Sequence, residues 1–122
     1  MAVGTLIAES LQVDAVIADV QLVVTKIARA DVGDVAAGQP RTWTFIEFEV
    51  SDEDVDALAR SLETALRREG GWYCDFRTEA ETFVAFAGRT FRYARGDASG
   101  RADATNHGRS VGVPEAQLDW PR

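Results

Sequence analysis

Cysteine, histidine and lysine each occur once in the 122 residues, as Cys74, His107 and Lys26, and proline occurs three times. Each shortage excludes something. A lone cysteine forms no intramolecular disulfide, and its neighbours Tyr73 and Asp75 give neither a CxxC pair nor a zinc spacing. One histidine supports no His-rich metal set. Ser99 and Ser110 flank His107, but no glycine-elbow pattern accompanies them. Gly88, Gly96 and Gly100 fit neither GxGxxG nor a P-loop spacing. No apolar run approaches the ~20 residues that cross a bilayer, so no membrane partner is expected. The segment MAVGTLIAES lacks the positive n-region and long apolar core of a signal peptide, and a cytoplasmic location is expected.

An excess of positive charge is also missing. Thirteen basic residues stand against twenty acidic ones, a net charge of −7. Such a chain repels phosphate backbones, so nucleic acid is not expected as a partner. The charge is uneven: residues 1–65 carry twelve acids and four bases, and residues 66–122 carry eight acids and nine bases. The stretch 89–109 is locally basic, with Arg89, Arg92, Arg95, Arg101 and Arg109 against Asp97 and Asp103. Arginines solvating a sheet edge and a helix account for it without a ligand. Twelve arginines to one lysine, beside nineteen alanines, is the usage of a GC-rich bacterial genome.

What the chain does contain is 46% hydrophobic and 27% charged residues, the balance of one globular domain spanning residues 1–122. In the first thirty residues, the β-branched Val20, Val23, Val24, Thr25 and Ile27 favour strands over helix. The polar link Gln12–Asp19 then joins two antiparallel strands. DVGDVAAGQPR, 31–41, reads as a loop. TWTFIEFEV, 42–50, is a strand. Ser51 and Asp54 have capping-box spacing, and Val55, Leu58, Ala59, Leu62, Ala65 and Leu66 recur at helical spacing over 52–68. Arg67 and Arg68 fall in the last turn of that helix, and Gly70-Gly71 stops it.

WYCDFR, 72–77, alternates, and 82–87 with 90–95 reads as a hairpin about Gly88-Arg89, pairing Phe86 with Phe91 and Val84 with Tyr93. Asp97 caps a helix over 98–107 that Gly108 ends. A tail, 112–122, docks through Trp120. The expected fold is α+β: a mostly antiparallel sheet of about six strands, in the order β-β-β-α-β-β-β-α, with two main helices largely on one face.

If the helix over 52–68 covers one sheet face, alternation sends Ile46, Phe48, Val50, Trp72, Cys74 and Phe76 toward it. Trp43, Phe45, Glu47, Glu49, Tyr73, Asp75, Arg77, Phe83 and Arg92 then share the other face. The candidate binding residues are Trp43, Phe45, Glu47, Tyr73, Asp75, Arg77 and Arg92. Aromatics and arginine suit an interface core, so the leading reading is a non-catalytic interaction protein, a homodimer pairing through the open sheet face or an edge. The alternative is a small-molecule-binding protein or cofactor-free enzyme. In it Arg77 and Arg92 grip a small anionic ligand by forked hydrogen bonds, Tyr73 stacks or donates, and Glu47 or Asp75 serves as base. A carboxylate metal site from Glu47, Glu49 and Asp75 ranks below both, and neither metal nor cofactor is expected. Cys74, between Trp72 and Phe76, reads as a buried inert thiol rather than the nucleophile of a pair with His107. His107, near a helix C-terminus, reads as a cap or surface residue whose imidazolium the helix dipole favours.

Overall fold

The computed structural model describes residues 1–33 and 35–121. Asp34 of the expected loop and Arg122 of the expected tail lie outside the described residues. Its elements are β1 (Ala2–Ile7), β2 (Val23–Asp31), β3 (Thr42–Val50), α1 (Val55–Ala65), β4 (Cys74–Arg77), β5 (Glu81–Phe86), β6 (Arg89–Ala94) and α2 (Ala98–Ser110). The strands form one sheet in the order β2-β3-β1-β4-β5-β6, with every neighbouring pair antiparallel. The class is α+β.

The first two strands exist, but they do not form a hairpin. β3 lies between them, in register with β1 from Ala2↔Val50 to Ile7↔Phe45 and with β2 from Val23↔Glu49 to Asp31↔Thr42. The segment 8–22 is therefore a crossover rather than a turn. It carries Leu11, Ile17, Val20 and Leu22 onto the α1 side of the core. A buried apolar surface, not the polarity of residues 12–19, decides its path.

α1 is amphipathic as the spacing requires, burying Val55, Leu58, Ala59, Leu62 and Ala65. A single 3-10 turn, Asp52–Asp54, leads into it, capped by Ser51, whose hydroxyl accepts from the Glu53 amide at 3.3 Å; α1 itself has no side-chain cap. It ends sooner than the glycines suggest. Leu66 turns extended and bridges Leu11, and the Arg67 amide donates to the Ser10 carbonyl at 2.8 Å. Arg67 and Arg68 thus lie beyond the helix, because the returning crossover captures the chain at Leu66.

The two helices do not share a face. α1 packs with Leu6, Phe48, Cys74, Phe76, Phe83 and Ala85. Ala104 of α2 packs with Val84, Phe86 and Tyr93, joined by Val113, Leu118 and Trp120 of the tail. Neighbouring residues of β5 alternate between these two clusters, so the clusters lie on opposite sides of the sheet. Trp120 is 1% exposed and sits edge-on to Tyr73 at 5.0 Å.

The β5–β6 hairpin turns at Ala87-Gly88, with Phe86 opposite Arg89 and Val84 opposite Phe91. The register expected about Gly88-Arg89 is thus shifted by two, an even slip that leaves every side chain on its expected side. Gly88 takes φ +79°, the conformation this turn needs at its second position. α2 begins at an Asp97 cap, whose Oδ1 accepts from the Gly100 amide at 3.1 Å, and runs through Gly108 to Ser110. Gly108 is a packing glycine rather than a stop: a Cβ there would meet Leu118 and Trp120 at 2.9 Å.

Candidate functional site

α2 and the tail cover only the β4–β6 part of their sheet face. Over β1 and β3 that face stays open, and the tail walls it into a cavity of about 550 Å³. The volume is in the range of small-molecule sites. Its floor is built by alternation. β1 supplies Thr5 and Ile7, β3 supplies Trp43 and Phe45, and β4 supplies Asp75 and Arg77, with Tyr73 just before it. Trp72, expected on the α1 side, instead completes the apolar wall, because β4 begins only at Cys74 and strand alternation does not reach it; Gln117 and Asp119 of the tail close the opposite side.

The aromatic wall is held from behind. The Trp43 ring lies 5.2 Å from Trp72 and 6.1 Å from Phe45. Its Nε1–H donates to the Pro40 carbonyl at 2.7 Å. Buried Gln39 ties the mouth together: its amide donates to the Gly70 carbonyl at 2.5 Å, and its Oε1 accepts from the Ala36 amide at 3.0 Å and from Gln117 at 3.3 Å. The Tyr73 hydroxyl donates to the Gln117 carbonyl at 2.5 Å, with Asp119 Oδ1 at 3.2 Å, and so pins the tail over β4. Burial, then the Asp119 and Asp75 charges, push its pKa far up, and it stays a neutral donor.

Asp75 is the chemically unusual group. It sits opposite Thr5 on β1 and Val84 on β5. Among the described residues no other side chain hydrogen-bonds its carboxyl. Burial first, and the Asp119 charge second, raise it to about 6, while its own amide and Arg77 pull the other way. Arg77, exposed at the outer end, makes no ion pair among the described residues.

The structure brings together five of the seven expected binding residues: Trp43, Phe45, Tyr73, Asp75 and Arg77 all line the cavity. Glu47 shares the face but is engaged elsewhere, 3.5 Å from Lys26. Thr5 stands between Glu47 and Asp75 in register, which sets the two carboxylate-bearing strands about 10 Å apart. Arg92 is on the other side of the sheet. It holds Glu81 at 2.6 Å and Asp56 of α1 at 3.1 Å, and its guanidinium covers the Phe83 ring at 4.8 Å. Phe83 likewise packs under α1, stacked on Phe76 at 5.0 Å. An Arg77–Arg92 clamp therefore does not form. The β4–β5 register decides this: Phe83 lies opposite Phe76 and Val84 opposite Asp75, so Phe83 and its partner Arg92 face α1.

The sequence reading missed the tail's contribution. Gln117 and Asp119 carry no motif, and only the path set by Trp120 brings them to β4. The basic stretch 89–109 is internally satisfied. Arg109 pairs with Glu115 at 2.6 Å, Arg101 donates to the Trp120 carbonyl at 3.3 Å, and Arg89 stacks over Phe91 at 4.4 Å.

Cys74 and His107 lie on opposite sides of the sheet. Cys74 is buried, its thiol donating to the Thr5 carbonyl at 3.4 Å, and burial pushes it well above the ordinary thiol range. His107 packs against Phe86 at 4.7 Å and Phe91 at 5.1 Å. Burial and the nearby Arg89 lower it, overriding the helix dipole expected to favour imidazolium. Among the described residues no group of three or more acidic, histidine or cysteine side chains is placed to hold a metal ion, and no helix is long and apolar enough to cross a membrane. Comparisons with family models, with curated proteins and with solved structures each return no match for this chain.

Proposed function

We propose that this protein binds a small amphipathic molecule in the sheet-face cavity, with Asp75 as the polar recognition group. One observation carries the reading: a half-buried carboxyl, raised to about 6, faces an aromatic-walled space and has no side-chain partner among the described residues. Perturbed acids in clefts mark functional sites more often than structural ones, since a purely structural acid is normally paired. An acid titrating near neutrality also suits proton transfer to a bound molecule, so the same geometry serves a cofactor-free acid–base enzyme. Glu47, held by Lys26, does not compete for that role.

Thermal denaturation against a metabolite panel tests the reading, because a ligand of the folded state raises the melting temperature by mass action. At least one compound class is expected to stabilise the native protein and to lose that effect in Asp75→Asn. Stabilisation unchanged in Asp75→Asn and in Trp43→Ala overturns the assignment of the site.

A second reading, self-association, has its own observation. β2 is a nine-residue edge strand whose Val23, Val24 and Ile27 are 52%, 50% and 66% exposed. Such an edge offers unpaired backbone groups to a second copy of the strand, guarded by Lys26, Arg29, Asp31 and a bulge between Val24 and Lys26. Sedimentation of the wild type and of Ile27→Lys separates the readings. A dimer that the lysine breaks supports edge pairing, and a monomer at all concentrations removes it.

A further inference from the structure

We infer that the ligand of the sheet-face cavity is an organic ammonium ion, its charged nitrogen held by Asp75 and Asp119 and its carbon body laid along Trp43, Phe45 and Trp72. This rests on the ligand-binding reading above and names the class of molecule.

The lining is rich in acceptors and poor in donors. Two carboxylates, Asp75 and Asp119, belong to it, and among the described residues its one cation, Arg77, stands exposed at the outer end. The Tyr73 hydroxyl is already committed to the Gln117 carbonyl and Asp119. Thr5 is the other hydroxyl on the floor. An anionic ligand would thus meet two like charges and one guanidinium, because Arg92 is bound to Glu81 and Asp56 across the sheet.

A protonated amine brings what the site lacks, a positive charge and N–H donors for the Asp75 oxygens. The rest of the wall suits such a molecule too. Aromatic rings attract cations through their negative faces and cover alkyl or aryl groups at the same time. The surrounding field agrees, with Glu47 and Glu49 on the same sheet face as Lys26 and Arg77, so that with Asp75 and Asp119 the described acids there outnumber the described bases. An uncompensated half-buried carboxylate is costly, and a bound ammonium offsets that cost.

The inference fixes the sign of a pH dependence. Affinity rises as Asp75 ionises and levels off above about pH 6. Among the described residues, the other groups facing Asp75 are Thr5 from β1, Arg77 from β4 and Tyr73 just before it, Val84 from β5, Tyr93 from β6, Glu47 from β3 and Asp119 from the tail. The tyrosines stay neutral across pH 5 to 8, because burial raises both Tyr73 and Tyr93. Alkyl amines stay protonated over the same range. Asp119 and Glu47 are carboxylates, so the variants below include Asp119→Asn.

The experiment is calorimetric titration and thermal shift on the full chain at pH 5 and pH 8. The probes are phenethylamine, cyclohexylmethylamine and N-methylphenethylamine, with the isosteric alcohols and carboxylates. Amines are expected to bind at least tenfold tighter than their alcohols, with carboxylates weakest. Their affinity is expected to fall about tenfold from pH 8 to pH 5. Asp75→Asn is expected to cost at least tenfold and to flatten the pH profile. Asp119→Asn, at an exposed position, is expected to weaken binding and leave the profile's shape. Carboxylates or alcohols binding better than amines, or affinity rising toward pH 5, overturns the ammonium class while the cavity remains a ligand site. No binding by any probe of either charge overturns both.

Discussion

At neutral pH Asp75 carries a charge that its surroundings disfavour. Its folded-state value, about 6, lies above that of an unfolded aspartate, so the native state keeps the proton longer than the denatured chain does. Stability from this group is therefore full below about pH 4 and is lost as pH rises to about 6. At ~1.4 kcal/mol per pH unit the loss above pH 7 reaches ~3 kcal/mol at most. Asp75→Asn keeps the shape and removes the charge. It is expected to be more stable than the wild type at pH 8, by up to ~3 kcal/mol, and nearly equal to it at pH 4. Urea unfolding at the two pH values measures the gap, and equal midpoints at pH 8 would show that burial costs Asp75 nothing. Stabilisation with loss of binding is the signature of a group retained for function. Cys74 illustrates the opposite case. Fully buried beneath α1, it should resist iodoacetamide in the native protein at pH 7.5 and react within minutes in urea. Rapid native labelling would show that this face opens.

Among the elements, β1 is closely packed on both sides. It is central, with β3 and β4 on its two sides, and α1 lies above it. Gly4 is the point of closest approach: a Cβ there would meet Phe76 Cβ at 2.6 Å and Phe48 Cζ at 2.8 Å. Gly4→Ala should destabilise by about 1–3 kcal/mol through overpacking. Gly33→Ala, with nothing within 4 Å, should change stability by less than ~0.5 kcal/mol. Equal urea midpoints for the two variants would mean that β1 moves freely against its neighbours. β4 contributes in a different way. Its four residues place Cys74 and Phe76 under α1 and Asp75 and Arg77 toward the cavity. One short strand thus feeds both core and site, and its register is fixed by the buried pair Cys74 and Phe76 rather than by Asp75.

For the whole molecule, the tail couples stability to the site. Trp120 anchors it against Tyr73, Phe86 and the small Gly108, and the Tyr93 hydroxyl donates to the Pro121 carbonyl. Removing that anchor frees the wall that carries Gln117 and Asp119. Trp120→Ala should cost about 3–5 kcal/mol as a large core truncation. It should also abolish ligand-induced stabilisation, even at temperatures where circular dichroism shows the sheet intact. Retained binding in such a folded variant would place the ligand on the strands alone.

The sequence by itself determined the elements and most of their faces. Helical spacing from Val55 to Leu66 and alternation through 42–50 and 72–77 are local signals, and side-chain direction on a strand follows from period two alone. That was enough to group Trp43, Phe45, Tyr73, Asp75 and Arg77, and to bury Cys74. The tertiary structure decided what depends on long-range packing. β3 slips between β1 and β2, α2 takes the face opposite α1, and Arg92 turns to Asp56 instead of Arg77. Each follows from which apolar surfaces meet across the chain, and no window of residues encodes that. The cavity itself is of this kind: its floor is written in strand alternation, but its acid–acid pairing exists only because buried Trp120 draws Asp119 back to β4.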